Sequence, residues 1–308
     1  MFRVLKNFFL VLYYSFRDFL RFTQRSGVLF INEKKIEGHI IAVNHTIEKG
    51  LAMPDQKTPF SIDRVEYLIF LLKKFGSFAG KDNNLSKIMD ISVKILKDWS
   101  QLHHTTKDVK IQKLIEEISR LSTSYEKETI INFGLIKEAY LPNETFSKMA
   151  SRRRSIRNYD ETIISENIID DACKVASFSP SVCNRNLGGF ELIKGNTNIK
   201  KALDLQGGNR GYDHKVFNLG YIFFKINRLY DPEERNQGFI DAGLFAMTLT
   251  YALQSKGIGS VMLNWAQSPS TDLKFRRLLK IPKDREIVSL LAFGIPTEDS
   301  VSPVSKKI

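Results

Sequence analysis

Apolar residues recur at steps of three and four through most of the first 140 positions, then give way to short β-rich runs set between helices. Residues 1–26 show the pattern best. Val4, Leu5, Phe8, Phe9, Leu12, Phe16, Phe19 and Leu20 gather on one helical face. Arg3, Lys6, Asn7, Arg17, Asp18, Arg21, Gln24 and Arg25 line the other, interrupted by Leu10 and Tyr14. The spacing predicts a basic amphipathic helix, suited either to a membrane interface or to packing its apolar side on protein. From Ser61 to Tyr140 the period stays helical, through Val65, Leu68, Ile69 and Leu72 and again through Ile88, Ile91, Ile95 and Leu96. Polar links at 80–84 and 105–108 separate these helices. Pro142-Asn143-Glu144 breaks the pattern, which divides the chain into a helical region, 1–146, and a second region, 147–308.

The second region alternates periods. A helix is predicted from Ser165 to Phe178, with Ile168, Ile169, Ala172 and Val175 on its buried side and Pro180 ending it. Phe190–Lys194, Leu219–Ile226, Ser260–Leu263 and Ile287–Phe293 read as strands, rich in β-formers and bounded by Gly, Asn or Pro. Asp241–Lys256 is apolar on nearly every side, which predicts burial inside the domain or at a subunit interface, and Gly257 can stop it in the left-handed conformation. The fold class expected is α+β, a sheet between helices preceded by an all-α region. No internal repeat is present.

Composition narrows the picture. The 308 residues are 43% hydrophobic, enough for true cores. A net charge of +12 fits nucleic acid, a membrane surface or an anionic cofactor. Two cysteines, Cys173 and Cys183, without zinc spacing, point to reducing cytosol and to no metal; Cys183 is expected to be a small packing residue. No window approaches the roughly 20 apolar residues of a membrane span. The cations after the first apolar run oppose a secretory signal.

Candidate chemistry concentrates in two places. Arg152-Arg153-Arg154-Ser155-Ile156-Arg157 packs guanidinium forks and a hydroxyl into six residues, the makings of a phosphate grip. Ser179-Pro180-Ser181-Val182-Cys183-Asn184 offers a rigid proline, small hydroxyls and an amide, suited to the face and edge of a planar ring. Phosphate and ring together point to flavin mononucleotide (FMN). Read alone, the arginine run is a solvated face or a loose nucleic-acid contact, but no nucleic-acid-binding module accompanies it. His45 and Glu48 lack a third metal ligand and read as capping and packing around Gly50, and His103-His104 reads as an exposed helix end. Gly207-Gly208 lacks the Lys-Ser/Thr of a phosphate loop.

In this order the segments resemble the FMN-dependent nitroreductase family over residues 148–308, joined by Leu205-Gln206-Gly207-Gly208-Asn209-Arg210-Gly211, Asp241-Ala242-Gly243-Leu244, Gly257-Ile258-Gly259, Leu263-Asn264-Trp265 and Ser305-Lys306-Lys307. Upstream, His45-Thr46-Ile47-Glu48-Lys49-Gly50-Leu51 and the helices after it resemble the N-terminal region of a subgroup associated with bacterial surface-polysaccharide gene clusters. The resemblance implies a nitroreductase-like fold and a cytoplasmic homodimer with FMN at its interface. Residues 1–26 are the candidate contact with the inner membrane surface. By the same resemblance, Arg153, Arg154, Ser155, Arg157 and Lys306 hold the phosphate and ribityl chain, and Asn209, with Gln206 and Arg210, meets the ribityl or pyrimidine side. Pro180, Ser181 and Asn184 approach the ring from the other subunit, and the backbone N–H groups of Leu263 and Asn264 lie near N5 and O4. NAD(P)H then acts as a transient reductant and a small molecule as the acceptor. The same fold also admits an oxidase or desaturase on a polysaccharide route, or a flavin-holding scaffold without turnover.

Overall fold

The computed structural model describes residues 2–25, 33–53, 58–75, 83–122, 133–135, 145–229 and 232–303. The chain divides into two compact units, one of residues 1–14 with 135–302, the other including residues 15–134. Helix α1 (Phe2–Arg25) starts in the first of these.

The second unit contains α2 (Glu33–Leu51), α3 (Ile62–Phe75), α4 (Asn83–His103) and α5 (Val109–Ser122). Their apolar stripes close a core in which Ile47, Leu68, Leu72, Leu96, Trp99 and Ile111 are buried. Asp108 starts α5, its Oδ1 accepting from the N–H groups of Lys110 (2.8 Å) and Ile111 (3.2 Å). His103, expected at an exposed helix end, is buried instead. Its ring stacks on Trp99 with centroids 4.1 Å apart, and Nε2 accepts from the Phe60 N–H at 3.3 Å. The imidazole is large and flat enough to complete an aromatic layer, and a helix-end position does not reveal that. His45 is exposed and Glu48 buried, and Gly50 admits the Phe60 ring where a Cβ would collide.

After β1 (Phe133–Leu135), the first unit runs α6 (Phe146–Arg152), α7 (Glu166–Ala176), β2 (Gly188–Leu192), α8 (Asn196–Gln206) and β3 (Asn218–Lys225). It continues with α9 (Gln237–Gln254), β4 (Gly259–Asn264), α10 (Pro269–Leu279), β5 (Arg285–Gly294) and β6 (Val301–Pro303). Strands β2, β3, β5 and β4 form an antiparallel sheet in that order. Successive side chains of β3 face opposite ways. Ile222 and Phe224 join Phe245, Leu249 and Leu253 of α9, while Tyr221 meets Phe275 of α10 edge-on with ring centroids 6.3 Å apart. The sheet thus lies between helices, as the alternation of periods predicts. Gly238 lets α9 start against the Phe224 ring, where a Cβ would collide, and Gly257 (φ 78°) follows the helix in the left-handed region.

The four expected strands are present, each displaced by one or two residues at its ends. Helices α8 and α10 escaped the reading because their apolar stripes are narrow. Only Ile199, Ala202, Leu203 and Gln206 are buried in α8, and only Phe275 in α10. Helix α9 is not buried all round within one chain, since Phe239, Ile240 and Leu244 are exposed.

Candidate functional site

The arginine run follows α6 in extended conformation and lies against the sheet edge. Ser155 bridges Ser260 of β4 in parallel sense, and the Ile156 N–H donates to the Ser260 carbonyl at 3.1 Å. Gly259 makes this approach feasible, because a Cβ there would stand 2.6 Å from Ile156. Further along, the Tyr159 hydroxyl donates to the carbonyls of Ile156 (2.6 Å) and Ala292 (3.2 Å). Within this anchored segment Ile156 is fully inside, while Arg153, Arg154 and Ser155 are half-buried.

Arg157 is only 8% exposed. One Nη1 bond, to the Ser155 carbonyl, measures 3.2 Å, and its guanidinium carbon lies 5.9 Å from the Tyr212 ring centroid. Its Nε is buried with no hydrogen-bond partner among the described residues, and no described carboxylate forms an ion pair with Arg157 or Arg153. Other arginines of the unit do have such partners. Arg185 meets Glu234 at 2.6 Å, and Arg276 meets Asp272 at 2.5 Å and Glu286 at 3.1 Å. Burial pushes the Tyr212 phenol pKa up, and the neighbouring Arg157 opposes that rise.

Tyr212 leads to the next group. Gln206, at the end of α8, donates through Nε2 to the Asn264 carbonyl (3.1 Å) and accepts at Oε1 from the Gly208 N–H (2.8 Å). Asn209 donates through Nδ2 to the Leu203 carbonyl (2.6 Å) and to Gln206 Oε1 (3.1 Å). The Gln206–Tyr212 turn is therefore tied to the end of β4, where Leu263 is buried and Asn264 exposed. Strand β4 is the sheet edge, and successive N–H groups on a strand point to alternate sides. One of the Leu263 and Asn264 amides thus faces outward. Arg210 is exposed. Lys306 lies outside the described residues, though the tail leading to it fastens beside Arg157, with the Ser300 hydroxyl donating to the Asn158 carbonyl at 2.7 Å.

Pro180, Ser181 and Asn184 take no part in this group. Their loop is held to α9, where Asp241, a buried carboxylate in an apolar helix, accepts from the Val182 N–H at 3.0 Å and from Gln237 Nε2 at 2.9 Å. Cys183, Asn184 and Asn186 all have left-handed φ, at 47°, 54° and 49°, a concentration of strain at an exposed tip. Cys183 is exposed rather than packed, because the tip turns it outward. The other thiol, Cys173, is pushed up to about 11, by burial first and by Asp170 second. The positioning role of Asp241 was missed in the sequence, although a lone acid in an apolar helix is a readable signal. Replacing it by Ala is expected to cost about 1–3 kcal/mol by leaving the Val182 amide unpaired. Hydrogen exchange at that amide and the melting temperature check this.

Among the described residues no group of three His, Cys, Asp or Glu could hold a metal ion, and no helix is long and apolar enough to cross a membrane. The Nitroreductase family model matches residues 150–295, just under half of the chain. No curated protein matches. Among solved structures, NfrA2 of B. megaterium is 23% identical, with a TM-score of 0.42 over 47% of this chain and 63% of that one. A nitroreductase family protein of Clostridium novyi is 17% identical, at 0.43 over 50% and 86%. An FMN-dependent nitroreductase of Clostridium difficile is 18% identical, at 0.42 over 48% and 86%. By its family match and its helix-flanked antiparallel sheet, the segment 150–295, which contains Arg157, Gln206, Asn209 and Asn264, has a nitroreductase-like fold and is similar to the Nitroreductase family.

Proposed function

We propose that the chain is an FMN-dependent oxidoreductase that takes reducing equivalents from NAD(P)H and passes them to a small-molecule acceptor. The observation that carries this is the buried Arg157 guanidinium with an unpartnered Nε and no carboxylate. A buried cation is costly unless an anion meets it, and the paired arginines elsewhere in the unit show how this fold otherwise meets that cost. A phosphate satisfies Arg157, with Arg153 and the Ser155 hydroxyl as further donors on the same segment and Arg154 beside them.

The Gln206–Asn209–Asn264 bonds hold the α8 turn against the end of β4, so the turn and the outward amide at Leu263 or Asn264 can serve one ligand. Bound FMN would supply the two-electron chemistry. A donor of fixed direction stabilises negative charge better than water does, because it need not reorient, and each such bond to charge contributes roughly 1.5–3 kcal/mol. No side-chain acid–base pair is then required of the protein.

The exposed apolar face of α9, at Phe239, Ile240 and Leu244, lies on the helix that holds the strained 181–186 loop. That exposed apolar face supports a homodimer, in which, as the family resemblance implies, Pro180, Ser181 and Asn184 approach the ring held by the other subunit. The resemblance of residues 45–51 to the polysaccharide-associated subgroup supports an acceptor on a surface-polysaccharide route.

Purified protein is expected to be yellow, and anaerobic NADH or NADPH to bleach it within seconds. Yellow protein that neither nucleotide bleaches would replace this reading with the oxidase or scaffold alternatives. Colourless protein that cannot be loaded with FMN would end it.

A further inference from the structure

Helix α1 rests on its unit by the wrong side. Asn7, Leu10 and Tyr14, which interrupt or belong to its polar face, are the partly covered positions. The Tyr14 hydroxyl donates to Glu233 Oε1 at 3.0 Å, and the Arg235 guanidinium lies 4.9 Å from the Tyr14 ring centroid. The opposite face of residues 2–14 is left in water, with Val4 at 74% exposed, Leu5 56%, Phe8 57%, Phe9 59% and Leu12 52%. A helix that simply stabilised its own fold would bury that face, so its exposure marks a binding surface.

Its charge identifies the occupant. Helix α1 carries Arg3, Lys6, Arg17, Arg21 and Arg25 against Asp18 alone, in a chain of net charge +12. The exposed stripe of α9 belongs to a helix with no Lys or Arg at all, as an interface between protein copies allows. Cations beside a broad aromatic stripe instead match a bilayer surface, where the rings enter the acyl boundary and the cations meet lipid phosphates. Because α1 is not apolar enough to cross a membrane, it would lie in the plane.

We propose that α1 docks the protein on an anionic membrane surface, apolar face down. Tyr14, Glu233 and Arg235 then fix the orientation of the unit.

The test is cosedimentation of the full chain with phosphatidylcholine vesicles, with and without phosphatidylglycerol. Binding is expected only with the anionic lipid and should weaken as salt is raised. The double variant Phe8→Ser/Phe9→Ser should lower partition on the order of a hundredfold. Lys6→Glu, which leaves the apolar face intact, should lower it about thirtyfold. Helix content and the melting temperature should stay unchanged in both, since these side chains are exposed. Equal partition of wild type and both variants would overturn the proposal. So would a wild type that ignores anionic vesicles and loses its self-association on Phe8→Ser/Phe9→Ser, which would assign the face to a second copy.

Discussion

Arg153→Ala/Arg157→Ala protein is expected to purify without flavin while keeping its fold. Each guanidinium in charge-assisted contact with a phosphate contributes roughly 1.5–3 kcal/mol, so losing both should weaken FMN binding on the order of a hundredfold to ten-thousandfold. Visible absorbance of the purified protein and a titration with added FMN measure this. The single variants separate a ligand-holding role from a structural one. Arg157 is buried without a carboxylate, so Arg157→Ala should leave the melting temperature of flavin-free protein unchanged or raise it, while abolishing the rise that FMN gives wild type. Arg157→Lys retains the charge but not the fork, and should recover only part of the affinity. Unchanged flavin content in the double variant would refute the assignment. A lowered melting temperature of the flavin-free Arg157→Ala protein would make the residue structural.

The second large effect is expected in the helical unit. Trp99 is 0% exposed, donates through Nε1 to the Phe60 carbonyl at 2.9 Å and stacks on His103, which in turn accepts from the Phe60 N–H. The two rings thus hold both backbone groups of the residue that leads into α3. Trp99→Ala removes the largest ring in that core together with one of these bonds, a loss of about 3–5 kcal/mol. Calorimetry or limited proteolysis should show residues 33–122 unfolding at lower temperature with flavin content retained. Loss of flavin in parallel would show that the two units unfold as one.

Much of the fold was legible because it rests on local period. The amphipathic span of α1, the apolar run of α9 with left-handed Gly257 behind it, and the four strands of the sheet all follow from spacing and composition within a few residues. The arginine run was legible as a candidate anion site for the same reason, since its density is local. Helices α8 and α10 were not, because one narrow stripe of buried residues gives a weak period.

What local pattern could not reach depended on contacts between distant positions. Spacing shows that Arg157 is a cation, but only the pairing of Ser155 with Ser260, about a hundred residues on, buries it and leaves its Nε without a partner. Asn209 and Gln206 are recognisable as amides, yet only the Leu203 and Asn264 carbonyls they bond show that they brace the turn after α8 against the end of β4. The two faces of α1 can be listed from the sequence, whereas its attachment through Tyr14 to Glu233 decides which face meets solvent. Helical and strand periods record which residues share a face. The partner of each face is set by chain closure over tens to hundreds of residues, and that exists only in the folded state.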